Sequence, residues 1–132
     1  MPTATQTPYA TYRYVLPFPP SVNTYWRRKG SRYFISKKGV EFKKAVNQCV
    51  KRRPNTRRRL QVTIGYQRQD NVDYDIDNYA KAVQDALQSV GVYQDDGQVD
   101  KLIQERLPVA KVGACYVEVK EIGAARTIVR VV

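Results

Sequence analysis

The stretch DNVDYDIDNYAK, Asp70 to Lys81, holds four aspartates within eight residues of a 132-residue chain whose formal net charge is +11. Asp73, Asp75 and Asp77 are spaced by two, so in an extended segment their carboxylates point one way while Tyr74 and Ile76 point the other. A second acidic pair, Asp95-Asp96, follows. Lys81 stands four residues after Asp77 and four before Asp85, on one face of the helix expected there. Carboxylates from a strand end, a helix start and a following loop are oxygen donors of the kind that suits Mg²⁺, a hard cation that keeps several of its waters. The calcium-loop pattern fits only in part. Begun at Asp73, it puts Asp75 and Asp77 at the third and fifth positions, then meets Asn78 where glycine is needed and Gln84 where the bidentate glutamate belongs. Spacing alone also allows Asp75 and Asp77 to be turn and capping residues.

Eight of the 12 acidic residues lie between Asp70 and Asp100, with Lys81 the one basic residue among them, so that window carries −7 and the remainder +18. A remainder so basic fits a polyphosphate partner held by counterion release, whereas the acidic window repels phosphate unless metal ions stand between them. The alternative is an acidic patch that balances basic neighbours within the fold. With no histidine in the chain, imidazole bases and histidine metal ligands are excluded. Cys49 and Cys115 have no CxxC spacing and read as reduced, half-buried thiols. The length suits one domain, no run of about 18 apolar residues appears, and MPTATQTPYATYRY lacks the apolar stretch of a signal peptide. The expectation is a soluble, cytoplasmic protein with no membrane contact.

These residues need elements to position them. Tyr12 to Phe18 alternates as a strand and stops at Pro19-Pro20. Ser21 to Ser36 is mostly loop, with Gly30 turning a short hairpin and Tyr33 to Ile35 returning. Ser36 caps a first helix whose apolar stripe is Phe42, Ala45, Val46, Cys49 and Val50, ending before Pro54. Leu60 to Tyr66 is a second long strand. A second helix, capped by Asp77-Asn78, buries Tyr79, Val83, Ala86, Leu87 and Val90 and stops at Gly91. Val99 to Val109 and Cys115 to Ile122 follow as a strand pair joined through Lys111 and Gly113. Met1 to Ala10 is expected to be disordered and Gly123 to Val132 to be a peripheral tail, with TIVRVV as an edge strand or dimer contact. Tyr25 and Trp26 offer rings either for stacking on an unpaired base or for packing a sheet edge.

LPFPPSVNTYWR, DIDNYAKAVQDAL and GVYQDDGQV, in this order, resemble the RusA family of Holliday-junction resolvases over Val15 to Ile122. The DxDNxxKAxxDAL element followed by xGxxxDDxQV carries the resemblance. It implies an α+β fold, a small mixed sheet packed with two main helices, in a homodimeric Mg²⁺-dependent endonuclease (Mn²⁺ substituting) that cuts four-way branched DNA symmetrically. Carried over residue by residue, it makes Asp75, Asp77 and Asp96 the metal-binding catalytic carboxylates and Lys81 the catalytic lysine. Asp73, Asp85 and Asp95 stand as supporting residues, Asp85 as one that orients Lys81. The family carries an arginine run just before DxDN, where this chain has Asn71-Val72-Asp73-Tyr74. Arg27, Arg28 and Lys29, Arg57, Arg58 and Arg59, and Arg68 are the candidates to grip DNA instead. Two rival readings remain: a non-catalytic nucleic-acid-binding accessory protein, and a nuclease for other branched replication intermediates.

Overall fold

The computed structural model describes residues 8–126. Its centre is the strand β4 (Arg59–Gln67), whose Leu60, Val62, Ile64 and Tyr66 are fully buried. The other strands are β1 (Thr11–Leu16), β2 (Trp26–Lys29), β3 (Arg32–Ile35), β5 (Val99–Arg106) and β6 (Ala114–Gly123). Three helices join them: α1 (Val22–Tyr25), α2 (Lys37–Cys49) and α3 (Ala80–Ser89).

The main sheet runs β1-β6-β4-β5, while β2 and β3 form a separate two-stranded ribbon. β4 pairs parallel with β5 and antiparallel with β6, and β6 pairs antiparallel with β1. The expected pairing of the last two strands with each other is therefore corrected: β4 lies between them. β4 is the most apolar strand and takes the central place, where both of its ladders are covered. A parallel β4–β5 pair needs a long crossover, and α3 supplies it.

The inward residues of β1, β4 and β6 pack with Phe42 and Val46 of α2 and with Val83, Ala86 and Leu87 of α3 in one core. The mixed sheet with helices on it is the α+β class expected. Pro17 ends β1 because it has no N–H for the ladder. Ser36 caps α2, its hydroxyl accepting from Gly39 N at 3.1 Å. Gly39 lies so close to its neighbours that a Cβ there would come within 2.7 Å of Ile35 Cγ1 and 3.0 Å of the Tyr25 carbonyl.

The second helix does not start at Asp77-Asn78. Ile76–Asn78 form a separate 3₁₀ turn, and α3 begins at Ala80. Tyr79 intervenes with φ −113°, its ring held edge-on against Phe18 and Tyr74 and tilted against Tyr66. That aromatic cluster fixes the chain direction where a capping carboxylate was expected to. Ala10, placed in the disordered start, is tied to the sheet by exchanging hydrogen bonds with Glu121. Residues 1–7 and TIVRVV lie outside the described residues.

Candidate active site

Both acidic segments belong to the β4–β5 crossover and bracket α3. Asp75 is extended and its carbonyl accepts from Asn78 N, opening the 3₁₀ turn that contains Asp77. Both side chains are exposed, and neither carboxylate has a hydrogen bond or ion pair among the described residues. Asp73 projects fully into solvent, 3.8 Å from Arg106. The even-spaced trio thus shares its extended geometry only as far as Asp75.

Beyond α3, Asp96 opens a second 3₁₀ turn, Asp96–Gln98. Its backbone N–H donates to the Gln88 side chain of α3 at 2.9 Å. Asp95 caps the turn, accepting from Gly97 N, in a capping box with Gln98. Gln98 is 2% exposed. Its amide oxygen accepts from Gln94 N and Asp95 N, and its NH₂ donates to the carbonyls of Thr56 and Arg58. The DDGQ loop is therefore lashed to α3 by Gln88 and to the approach to β4 by Gln98. Lys81 of α3 reaches across, its Nζ 3.6 Å from Asp96 Oδ2. Neither glutamine was singled out in the sequence, although Asp95-x-x-Gln98 has capping-box spacing.

Asp85, expected to orient Lys81, turns elsewhere. It accepts from the Tyr25 hydroxyl and pairs with Lys43 Nζ at 3.3 Å, joining α3 to α1 and α2. Tyr25 is fully buried, so its ring is a core element and cannot stack on a base. Burial raises the Tyr25 phenol far above its ordinary value, and the Asp85 hydrogen bond adds to this. Burial likewise raises Tyr66, with Asp77 among the negative groups contributing, and Tyr93, where Asp96 and Asp85 contribute.

The donors fit Mg²⁺ in kind: Asp75, Asp77 and Asp96 offer only hard carboxylate oxygens, two of them uncommitted. Among the described residues no three acidic, cysteine or histidine side chains are grouped closely enough to cage a metal ion. Mg²⁺ is usually held by one or two carboxylates together with water and substrate phosphate, and this arrangement suits that mode.

The basic candidates divide. Arg27, Arg28 and Lys29 form β2 and are exposed throughout, as is Arg57. Arg59 is corrected: it is buried, and its guanidinium is spent on Asp100 and the Gly97 carbonyl. Arg58 pairs with buried Glu121 at 3.2 Å. Arg68 pairs with Asp70 at 2.8 Å and lies over the Phe18 and Tyr74 rings. These three hold the fold together, because a buried or aromatic-stacked guanidinium with a carboxylate partner has few donors left for phosphate. Arg106, which the sequence reading missed, covers Tyr74 from β5, its guanidinium 4.6 Å from the ring centre.

Residues 17–120 match the family described as Endodeoxyribonuclease RusA. The crossover junction endodeoxyribonuclease RusA of Enterobacteria phage HK97 is 40% identical over 94 residues, covering 69% of this chain and 78% of the relative. The proteins of the same name from Shigella sonnei (strain Ss046) and Escherichia coli (strain K12) are 32% and 31% identical over 116 residues, 86% of this chain and 97% of theirs.

Proposed function

The chain belongs to the RusA family of endodeoxyribonucleases, and from that premise we propose that it is a Mg²⁺-dependent, homodimeric, cytoplasmic endonuclease that resolves four-way DNA junctions by paired symmetric nicks. The observation that supports the chemistry is the bracketing of α3 by two acidic turns, with Lys81 reaching from the helix to Asp96.

Asp75, Asp77 and Asp96 are the carboxylates from which one or two Mg²⁺ ions would be held, together with water and substrate phosphate. Mg²⁺ bound there would supply Lewis acidity toward water and charge neutralisation at the phosphate, the chemistry that a site without histidine lacks on its own. Lys81 offers its ammonium to the non-bridging oxygens, where negative charge grows as the phosphate becomes five-coordinate. Its pairing with Asp96 keeps it aimed before substrate arrives. A dimer fits because a four-way junction presents two equivalent strands, and two-fold symmetry puts one site at each. No helix among the described residues is long and apolar enough to cross a membrane.

The test is cleavage of a mobile four-way junction beside matched linear duplex, with Mg²⁺ or EDTA. Paired nicks confined to the junction and lost in EDTA are expected. Asp75→Asn, Asp77→Asn and Asp96→Asn should each bind the junction and fail to cut it; an Asn variant that cuts normally removes that residue from the site. Tight junction binding without cutting in Mg²⁺ or Mn²⁺ would favour a non-catalytic accessory protein.

A further inference from the structure

The β2–β3 ribbon is a surface that the catalytic reading does not use. In an antiparallel pair, directly opposed residues share a face and successive residues alternate between faces. The register Trp26↔Ile35, Arg27↔Phe34, Arg28↔Tyr33 and Lys29↔Arg32 therefore divides the ribbon into two faces. One carries Trp26, Arg28, Tyr33 and Ile35, and these are engaged: Trp26 packs edge-on against Tyr25, Arg28 lies over Tyr33, and Ile35 joins the core. The other carries Arg27, Lys29, Arg32 and Phe34.

On that second face, none of the three cations has an acidic partner among the described residues, in contrast to Arg58, Arg59, Arg68 and Arg106. Phe34 is 48% exposed, and no ring or guanidinium among the described residues covers it. An unpaired triple positive charge around a bare aromatic ring is complementary to a nucleic-acid strand, phosphate to the cations and a base to the ring.

The ribbon is also rigidly rooted. Ser36 N donates to the Tyr25 carbonyl at 2.8 Å, the Ser36 hydroxyl donates to the Thr24 carbonyl, and Gly39 admits no side chain against Tyr25. The Tyr25 hydroxyl is fastened to Asp85, one turn of α3 beyond Lys81. The root of the ribbon and the candidate catalytic lysine thus ride on the same helix, about 6 Å apart along its axis.

We infer that this ribbon is a branch-point arm: Phe34 stacks on a base at the open centre of the junction while Arg27, Lys29 and Arg32 hold the phosphates on either side. The inference rests on the resolvase reading above and names the residue that distinguishes branched from linear DNA.

The test uses the full chain in EDTA, with fluorescently labelled four-way junction and linear duplex, and 2-aminopurine at the branch point. Wild type should raise the 2-aminopurine fluorescence on binding. Phe34→Ala should abolish that rise and weaken junction binding by roughly 5- to 150-fold, the range for loss of one base–aromatic stack, with duplex binding unchanged. Phe34→Tyr should restore both. An Arg27→Gln/Lys29→Gln/Arg32→Gln triple variant should weaken both DNAs and flatten the log–log salt dependence by about 3. Phe34 is exposed, so equal melting temperatures of wild type and Phe34→Ala are expected. Wild-type fluorescence and affinity in Phe34→Ala, in a protein that still cuts junctions, overturns the arm and leaves the resolvase reading standing. A wild type with no preference for junction over duplex overturns both.

Discussion

Gln98→Ala tests whether the DDGQ loop is positioned by one buried side chain. The Gln98 amide makes four hydrogen bonds of 2.8–3.0 Å to backbone groups of two separate stretches, Gln94-Asp95 and Thr56 to Arg58. Truncation leaves two N–H groups and two carbonyls without these partners, and at about 1 kcal/mol for each net bond the loss is about 4 kcal/mol. Water entering the space of the lost amide recovers part of this, so the expected destabilisation is about 3 kcal/mol, a large share of the total for a domain of this size. It corresponds to a fall in Tm of about 10 °C. Thermal and urea melts measure it. Gln88→Ala is the matched control, because it deletes only the bond to Asp96 N and should cost about 1 kcal/mol. Junction cutting, assayed where both variants remain folded, should fall further for Gln98→Ala than its unfolded fraction explains, since Asp95 and Asp96 lose their anchor. A Gln98→Ala protein that melts within 2 °C of wild type would refute the accounting.

Lys81→Ala should lower the single-turnover cutting rate by roughly 100- to 1000-fold with little change in junction affinity, and Lys81→Arg should recover only part of it; equal rates for wild type and Lys81→Ala would remove Lys81 from the reaction. Gly39→Ala should destabilise by about 1–3 kcal/mol through overpacking, because its Cβ meets Ile35 and the Tyr25 backbone; a urea midpoint at or above wild type would show that the ribbon root yields. Arg59 and Arg68 hold the Asp100 and Asp70 carboxyls below their ordinary value, so between the lowered and ordinary values the unfolded chain binds more protons. Their stabilisation is complete above about pH 4 and is lost as the pH falls through the lowered values. Tm should therefore drop on acidification below that point, less steeply in Arg59→Met, and a flat profile down to pH 3 would contradict this.

Much of the frame was legible from local patterns. Ser36 reads as a cap and is one, Gly30 turns the ribbon at φ 62°, and the stripe Val83, Ala86, Leu87 and Val90 is buried as its spacing implies. What was not legible depends on partners distant in sequence. The β4–β5 pairing is parallel because α3 returns the chain, and nothing in Val99 to Gly123 itself forbids the hairpin that was expected instead. Asp77-Asn78 has capping residues, yet the ring contacts of Tyr79 with Phe18 and Tyr66 end the 3₁₀ turn before α3 begins. Within the candidate site, the Asp73, Asp75 and Asp77 trio, Lys81 and the Asp95-Asp96 pair stand out by type and spacing, whereas the choice of Asp75, Asp77 and Asp96 among them comes from the family resemblance. The partners of Asp85 on α1 and α2 and the four-way reach of Gln98 required the fold. The arginines show the limit most clearly: Arg57, Arg58 and Arg59 are identical in sequence, and only burial against Glu121 and Asp100 separates an exposed cation from two structural ones.

The place of β6 in the sheet has a consequence for synthesis. β6 is the last strand of the sheet along the chain, yet it is inserted between the first, β1, and the central β4. While a ribosome has made only residues up to Gln98, the candidate-site aspartates, Lys81 and α3 all exist, but neither edge of β4 has a strand to pair with, because β5 and β6 both follow. Closure waits for contacts more than a hundred residues apart, Thr11 with Lys120, which are slow to form and late to reward the chain. A nascent or truncated product thus carries the candidate catalytic groups without the sheet that supports them, and DNA beside the translating ribosome meets the completed sheet only after residue 123 has emerged.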